Sequence, residues 1–249
     1  MTEAPAAKRL HVLKAVEDGW TAFKRAPWPF VLFALLYFVL AILFQQLPEF
    51  LLNLANNPSP GGAVVSLIVS MVGSILISLW GSIGLIRGAW KALDGQKPAF
   101  SDMTRWDGDA AGRLFINQIV LFILGLIIGG VCIALMVGFS QANEVLGFIP
   151  FITAAVVFIY LMVNQHFLMF LALLQDESPL SNLGRGREVV DPSWGWVLLL
   201  LIVEFAIVII GALLCGVGLL AAFPLTLCVS TAAYRQLFDD TDNTGFLAE

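Results

Sequence analysis

Long apolar runs are the feature that most constrains how this chain of 249 residues can fold. An apolar helix of about 20 residues crosses the hydrocarbon core of a bilayer, which is roughly 30 Å thick. Only 12% of the residues are charged and the mean hydropathy is +0.89, whereas soluble domains carry roughly 25% charged residues. Six apolar runs can be marked, at about 29–47, 62–86, 114–139, 146–174, 194–214 and 219–238.

These runs predict an all-α integral membrane helical bundle with six transmembrane helices, forming a single membrane domain over residues 1–249. The division between the last two runs is the least marked, because residues 196–234 contain no Lys or Arg and only Cys215-Gly-Val-Gly218 signals a turn. One helix over 196–234 would be about 58 Å long, nearly twice the hydrocarbon thickness. A hairpin of two spans is therefore the better prediction.

The Lys and Arg residues fall on one side of this topology. All 13 lie before the first span, between the second and third, between the fourth and fifth, or at the end of the sixth. The positive-inside rule places those segments in the cytoplasm. We expect both termini to be cytoplasmic and the protein to lie in a prokaryotic cytoplasmic (inner) membrane. Tryptophans favour the headgroup level, and six of the seven fall at the same ends, namely Trp20, Trp28, Trp90, Trp106, Trp194 and Trp196.

Short helices are predicted in the cytoplasmic segments. Over about 7–25, apolar residues recur at helical spacing with charged residues between them, which predicts an interfacial helix. Its apolar side either lies in the headgroup region or packs on the cytoplasmic face of the protein itself. Further along, Asp94-Gly95 predicts a turn, Ser101 or Asp102 a helix cap, and Ser178-Pro179 the start of a helix that ends near Val190.

Serine recurs at every fourth position of the second run. Small residues let membrane helices approach closely, so we favour a helix-packing seam over a hydrated path. Gly73, Gly81, Gly84 and Gly88 add to this stripe. The residues of the predicted seam are Ser66, Ser70, Ser74, Ser78 and Ser82.

A second polar feature is a candidate intramembrane site. Glu204 is the single acid inside a span, and His166, with Asn164 and Gln165 beside it, is expected about as far from the cytoplasmic ends. Charged groups at this depth face a partner or water. A proton- or cation-linked site and a purely structural pair both fit, and we favour the structural pair.

Several chemical classes are excluded by the sequence. The net charge of −5 gives no indication of a positively charged surface for binding nucleic acid. Cys132, Cys215 and Cys228 do not have the paired spacing of a disulfide framework or a CxxC site. With two histidines a multi-histidine metal site is impossible, and no phosphate-binding loop or nucleophile elbow is present. We therefore predict no enzyme activity, no catalytic or metal-binding residue and no cofactor.

The order of several short motifs resembles a known group of membrane proteins. These motifs are Gly19-Trp20-x-x-Phe23-Lys24, the Gly-rich second span, Gly95-Gln-Lys97-Pro98-x-Phe100-x-Asp102, Asp176-Glu177 followed by Pro179, and Gly216-Val-Gly218 ahead of Pro224 and Tyr234. The group comprises uncharacterised prokaryotic six-span proteins and is similar to the membrane domain of glycerophosphoryl diester phosphodiesterases. The resemblance implies a topology and no catalytic residues.

Two functions remain open from the sequence. The favoured one is a membrane scaffold or binding protein that acts through its cytoplasmic interface, with the lipid bilayer and either other membrane proteins or further copies of the chain as partners. The alternative is a small-solute or ion transporter or channel that uses Glu204 and His166.

Overall fold

The computed structural model describes residues 9–54, 60–142, 148–214, 216–238 and 240–248. Over this part the chain contains helices and no strands, which confirms the all-α class. Residues 7–8 of the predicted interfacial helix, 146–147 of the fourth predicted span and Cys215 lie outside the described residues. The helices are α1 (Val12–Arg25), α2 (Pro27–Leu54), α3 (Pro60–Leu93), α4 (Phe100–Thr104), α5 (Gly108–Ala142), α6 (Phe148–Asn164), α7 (Leu168–Leu174), α8 (Pro179–Val190), α9 (Trp194–Leu213) and α10 (Leu219–Phe238).

Five helical stretches in the described part are long and apolar enough to cross a membrane. They are Pro27–Asn53, Pro60–Leu93, Gly108–Gln141, Phe148–Leu174 and Pro179–Leu213. The sixth predicted span stays a prediction. Its residues form α10, but Ser230, Thr231 and Arg235 reduce its apolar character, and Ser230 and Thr231 are buried in the protein.

The chain divides into two compact units. The first unit comprises residues 13–111 and 203–232, and the second comprises 1–12, 112–202 and 233–249. In the first unit, α1 packs against the protein itself, because Ala22 and Phe23 join a buried core with residues of α2, α3 and α4. On the other side of α1, Leu13 and Trp20 are 86% and 47% exposed. Contact of that side with the membrane surface stays a prediction.

Glycines, more than serines, let α3 approach its neighbours. A Cβ atom on Gly73 or Gly81 would overlap the ring of Phe44 or Tyr37 of α2. The five serines of the predicted seam are half-buried, except Ser74, which is exposed. The structure thus shows close contact at the glycines, and the serine seam itself stays a prediction.

The α9–α10 hairpin confirms the turn predicted near residue 216. Helix α9 ends at Leu213 and α10 begins at Leu219, with Gly216 at a φ of +76°. A Cβ atom on Gly211 would lie 2.7 Å from Cβ of Ala222, so the two helices touch directly at this end.

A break divides the fourth apolar run. Helix α6 ends at Asn164, Gln165–Phe167 form a turn, and α7 begins at Leu168. Every residue of α7 except Met169 is buried. The last part of this run therefore packs inside the second unit.

Candidate functional site

The break after α6 gathers four amide side chains, which we call the amide cluster: Asn117, Asn164, Gln165 and Asn182. Asn164 donates through Nδ2 to Oδ1 of Asp191 at 3.0 Å, and Tyr160 donates to the same oxygen at 2.9 Å. Gln165 donates through Nε2 to the carbonyl oxygen of Leu183 at 3.2 Å. These bonds connect the end of α6 to Leu183 within α8 and to Asp191, which follows α8.

Helix α8 lies directly on the break because Gly186 has no side chain. A Cβ atom there would lie 3.1 Å from the carbonyl oxygen of Asn164. Asn182 donates to Oδ1 of Asn117 at 3.1 Å, and Asn117 donates to the carbonyl oxygen of Arg113 at 2.9 Å. The amide cluster therefore joins α5, α6 and α8 within one unit.

Three oxygens of the amide cluster have no hydrogen-bond partner among the described residues. They are Oδ1 of Asn164, Oε1 of Gln165 and Oδ1 of Asn182. Most buried polar atoms in folded proteins are paired with protein or water. A buried water molecule is the ordinary partner for such oxygens.

His166 lies beside this cluster at the end of a cavity. The cavity has a volume of about 340 Å³ and is bounded by α5 and α6, with Gln165 and His166 at one end. The imidazole ring contacts Phe167 edge-on, with ring centroids 4.7 Å apart. Three of the four predicted site residues, Asn164, Gln165 and His166, are consecutive and lie at the break after α6.

Glu204 belongs to the first unit and is 8% exposed. Ser230 of α10 donates to its Oε1 at 2.5 Å. This contact supplies the carboxyl group with a partner across the α9–α10 hairpin. A contact between Glu204 and His166 stays a prediction.

A second polar cluster escaped the sequence reasoning. We call it the Gln175 cluster, and it consists of Gln175, Glu177, Arg185, Tyr234 and Asn243. Oε1 of Gln175 accepts from Asn243 at 2.8 Å and from Arg185 at 3.3 Å, and Nε2 lies 3.4 Å from the hydroxyl of Tyr234. No local motif links these residues, since Gln175 and Asn243 are 68 positions apart.

Residues 240–248 are held against the end of α7 by this cluster. The backbone N–H of Asn243 donates to the carbonyl oxygen of Leu174 at 2.8 Å, and the hydroxyl of Thr244 donates to that of Leu173 at 2.6 Å. The last carbonyl groups of a helix have no intrahelical partner. This segment supplies two of the missing donors.

Ion pairs and helix caps shift two carboxyl pKa values outside the spans. Ser181 and Arg185 donate to Glu177 and lower its pKa below the ordinary 4.5. At Asp102, burial raises the pKa, but bonds from the Ala99 N–H and Lys91 outweigh it and the net shift is downward. Both carboxylates are therefore ionised at neutral pH and stabilise local structure.

One of the two predicted helix caps is confirmed. Ser178 caps α8 by accepting from the N–H of Ser181, and Pro179 is the first residue of the helix, as predicted. The cap predicted at Ser101 or Asp102 is wrong, because α4 begins at Phe100 and its N-cap is Ala99. Asp102 lies in the first turn and accepts from the N–H of Ala99. Gly95 forms the predicted turn with a φ of +86°.

The described residues contain no cluster of His, Cys, Asp or Glu that could hold a metal ion. In comparisons with protein-family models, curated proteins and solved structures, no match to this chain was found. The helices and their apolar surfaces define the class: this chain has the character of a multi-pass α-helical membrane protein.

Proposed function

We propose that this protein is a membrane scaffold or binding protein that acts through its cytoplasmic face. We place it in a prokaryotic cytoplasmic (inner) membrane with both termini in the cytoplasm. The segregation of all 13 Lys and Arg residues supports this orientation. The motif resemblance to the membrane domain of glycerophosphoryl diester phosphodiesterases supports the same topology.

The observation that carries the proposal is the Gln175 cluster. It ties α8 and residues 240–248 to the end of α7, so the segments assigned to the cytoplasm form an ordered cap within the second unit. Binding surfaces work best on rigid elements whose side chains are held by packing and hydrogen bonds. The cap supplies such a support.

One face of α8 is available on this cap. Leu180 is 73% exposed, and Ser181, Gly184 and Arg187 are also exposed. Meanwhile Asn182, Gly186 and Val190 face the protein and are buried. We propose the exposed face of α8 as the contact for another membrane protein or for a second copy of the chain.

A photocrosslinking amino acid at Leu180 tests this proposal. We expect a discrete crosslinked species, and a stoichiometric partner that remains bound in mild detergent but is lost in Leu180→Asp. The same crosslinker at Leu199, which is 40% exposed on α9, serves as the control. Equal crosslinking from both positions, or a complex that survives Leu180→Asp, would contradict the proposal.

A transporter or channel is the second candidate, because Glu204 is a buried carboxyl group in an apolar helix. Its contact with Ser230 favours a structural role, which leads to a specific expectation.

In Glu204→Gln the amide oxygen can still accept from Ser230. We expect unchanged stability to within about 1 kcal/mol and unchanged proton flux in vesicles that carry a pH-sensitive dye. A flux that is present in the wild type and absent in Glu204→Gln would instead establish the transporter.

A further inference from the structure

Helix α1 is divided into three sectors around its axis, since successive residues of a helix are about 100° apart. One sector, about 100° wide, is buried and consists of Val12, Ala15, Gly19, Ala22 and Phe23. The next, about 60° wide, is apolar, and we call it the apolar flank: Leu13, Val16 and Trp20. The remaining sector is polar and charged, and consists of Lys14, Glu17, Asp18, Thr21, Lys24 and Arg25. Within this described helix the apolar flank therefore contains no charged side chain.

The apolar flank is an outer surface of the protein. Leu13 is 86% exposed, and Trp20 is 47% exposed although its ring stacks on buried Phe23 with centroids 6.0 Å apart. The ammonium nitrogen of Lys24 lies 5.6 Å from the centroid of the Trp20 ring. Tryptophan and lysine side chains that have an apolar body and a polar end favour the headgroup level of a membrane.

The contacts of the buried sector fix the level of α1 along the neighbouring helices of the first unit. Phe23 stacks on Phe30 with ring centroids 5.9 Å apart, and α2 begins three residues earlier, at Pro27. A Cβ atom on Gly19 would lie 2.7 Å from Cα of Val229, which is within about 14 Å of the end of α10. Helix α1 thus lies beside the first turn of α2 and the last third of α10.

The sequence of α2 shows where this level lies relative to a bilayer. Residues 28–44 contain no charged or amide side chain, while Lys24-Arg25 precede them and Gln45-Gln46 follow. The 17 residues of this stretch extend about 26 Å, close to the roughly 30 Å of a hydrocarbon core. Phe30 is then within one turn of the boundary between hydrocarbon and headgroups. Helix α1, which contacts Phe30, is at the same boundary.

We propose that the apolar flank of α1 lies in the headgroup layer of a phospholipid leaflet, with Leu13 and Trp20 directed toward the acyl chains and Lys24 toward the phosphate groups. Interfacial helices bury their apolar side about 5–10 Å into this region. Lys24 borders the flank, and its ammonium group can donate to phosphate oxygens. The acids Glu17 and Asp18 belong to the charged sector, which faces water.

This surface belongs to the first unit. The proposal is therefore independent of the contact proposed for α8, and it holds whichever side of the membrane the termini occupy. Either proposal can fail alone.

Fluorescence quenching in proteoliposomes tests the position of the flank. A fluorescent amino acid replaces Leu13 in the full-length protein or, as the matched control, Lys14, which is also exposed but belongs to the charged sector. The vesicles consist of phosphatidylcholine, part of which is brominated near the headgroup end of its acyl chains. Iodide is the quencher in the water.

The brominated lipid should quench the fluorophore at position 13 much more than the one at position 14. Because an interfacial side is buried about 5–10 Å, iodide should quench position 13 at least about threefold less than position 14. If the fluorophore at position 13 disturbs folding, Trp20 and exposed Thr21 give the same comparison two turns further along α1.

Two results would overturn the proposal. Equal quenching of positions 13 and 14 by iodide would show that the flank faces water. Protection of position 13 from both quenchers would show that protein covers the flank, either a different partner or a second copy of this chain.

Discussion

Gly84→Ala is expected to destabilise the protein by about 3 kcal/mol, at the upper end for overpacked cores. A Cβ atom on Gly84 would lie 2.6 Å from the ring of Phe33 and closer still to the carbonyl oxygen of Met103. The second neighbour is backbone, so rotation of a side chain cannot relieve the overlap. Helix α4 would have to move away from α3. Thermal unfolding of the detergent-solubilised protein, followed by size-exclusion chromatography, measures the effect.

Gly61→Ala is the matched control in the same helix. A Cβ atom on Gly61 would meet nothing within 4 Å. Gly61 is the second residue of α3 and not in the helix interior, so we expect a change of less than about 0.5 kcal/mol there. Tolerance of Gly84→Ala would show that the contact between α3 and α4 is not needed for the folded state.

Gln175→Leu is expected to lower the free energy of unfolding by about 2–3 kcal/mol. Gln175 is 1% exposed and accepts from Asn243 and Arg185. Leucine has a similar volume but would leave these donors without their acceptor inside the second unit. The unfolding temperature and the protease sensitivity of residues 240–248 measure the loss.

Two further stability measurements distinguish the loss of the Gln175 cluster from a general effect of replacing a glutamine. Gln96→Leu, at an exposed position, should change stability by less than about 0.5 kcal/mol. Asn243→Ala should destabilise as well, and its effect should be less than additive with that of Gln175→Leu, because both remove the same bond. Strict additivity would contradict the cluster.

Local features of the sequence predicted local structure well. The start of α8 at Ser178-Pro179, the turn at Gly95 and the hairpin at Gly216 each depend on a few adjacent residues. The membrane class follows from composition alone. These elements are predictable because capping and backbone conformation act over one or two turns.

The break after Asn164 could not be predicted in the same way. The stretch Asn164-Gln-His-Phe167 contains no proline or glycine. The end of α6 is held by Asp191 and Leu183, and space for it is left by Gly186, all distant in sequence. A continuous apolar run therefore concealed a turn that tertiary contacts determine.

The candidate polar site stays a prediction. Polar residues in an apolar run pointed to Asn164, Gln165 and His166, which are adjacent in sequence and lie at the break after α6. Asn117 and Asn182 were missed because neither stands out in its own segment, and they became recognisable only through their bond to each other.

The attachment of residues 240–248 to α7 has a consequence for biosynthesis. The ribosome releases α7 long before it makes Asn243 and Thr244, which donate to the carbonyl groups of Leu174 and Leu173. The second unit therefore completes its native hydrogen bonding only after residues 243 and 244 have been translated. Until then the carbonyl groups of Leu173 and Leu174 have to be paired by other donors, such as water.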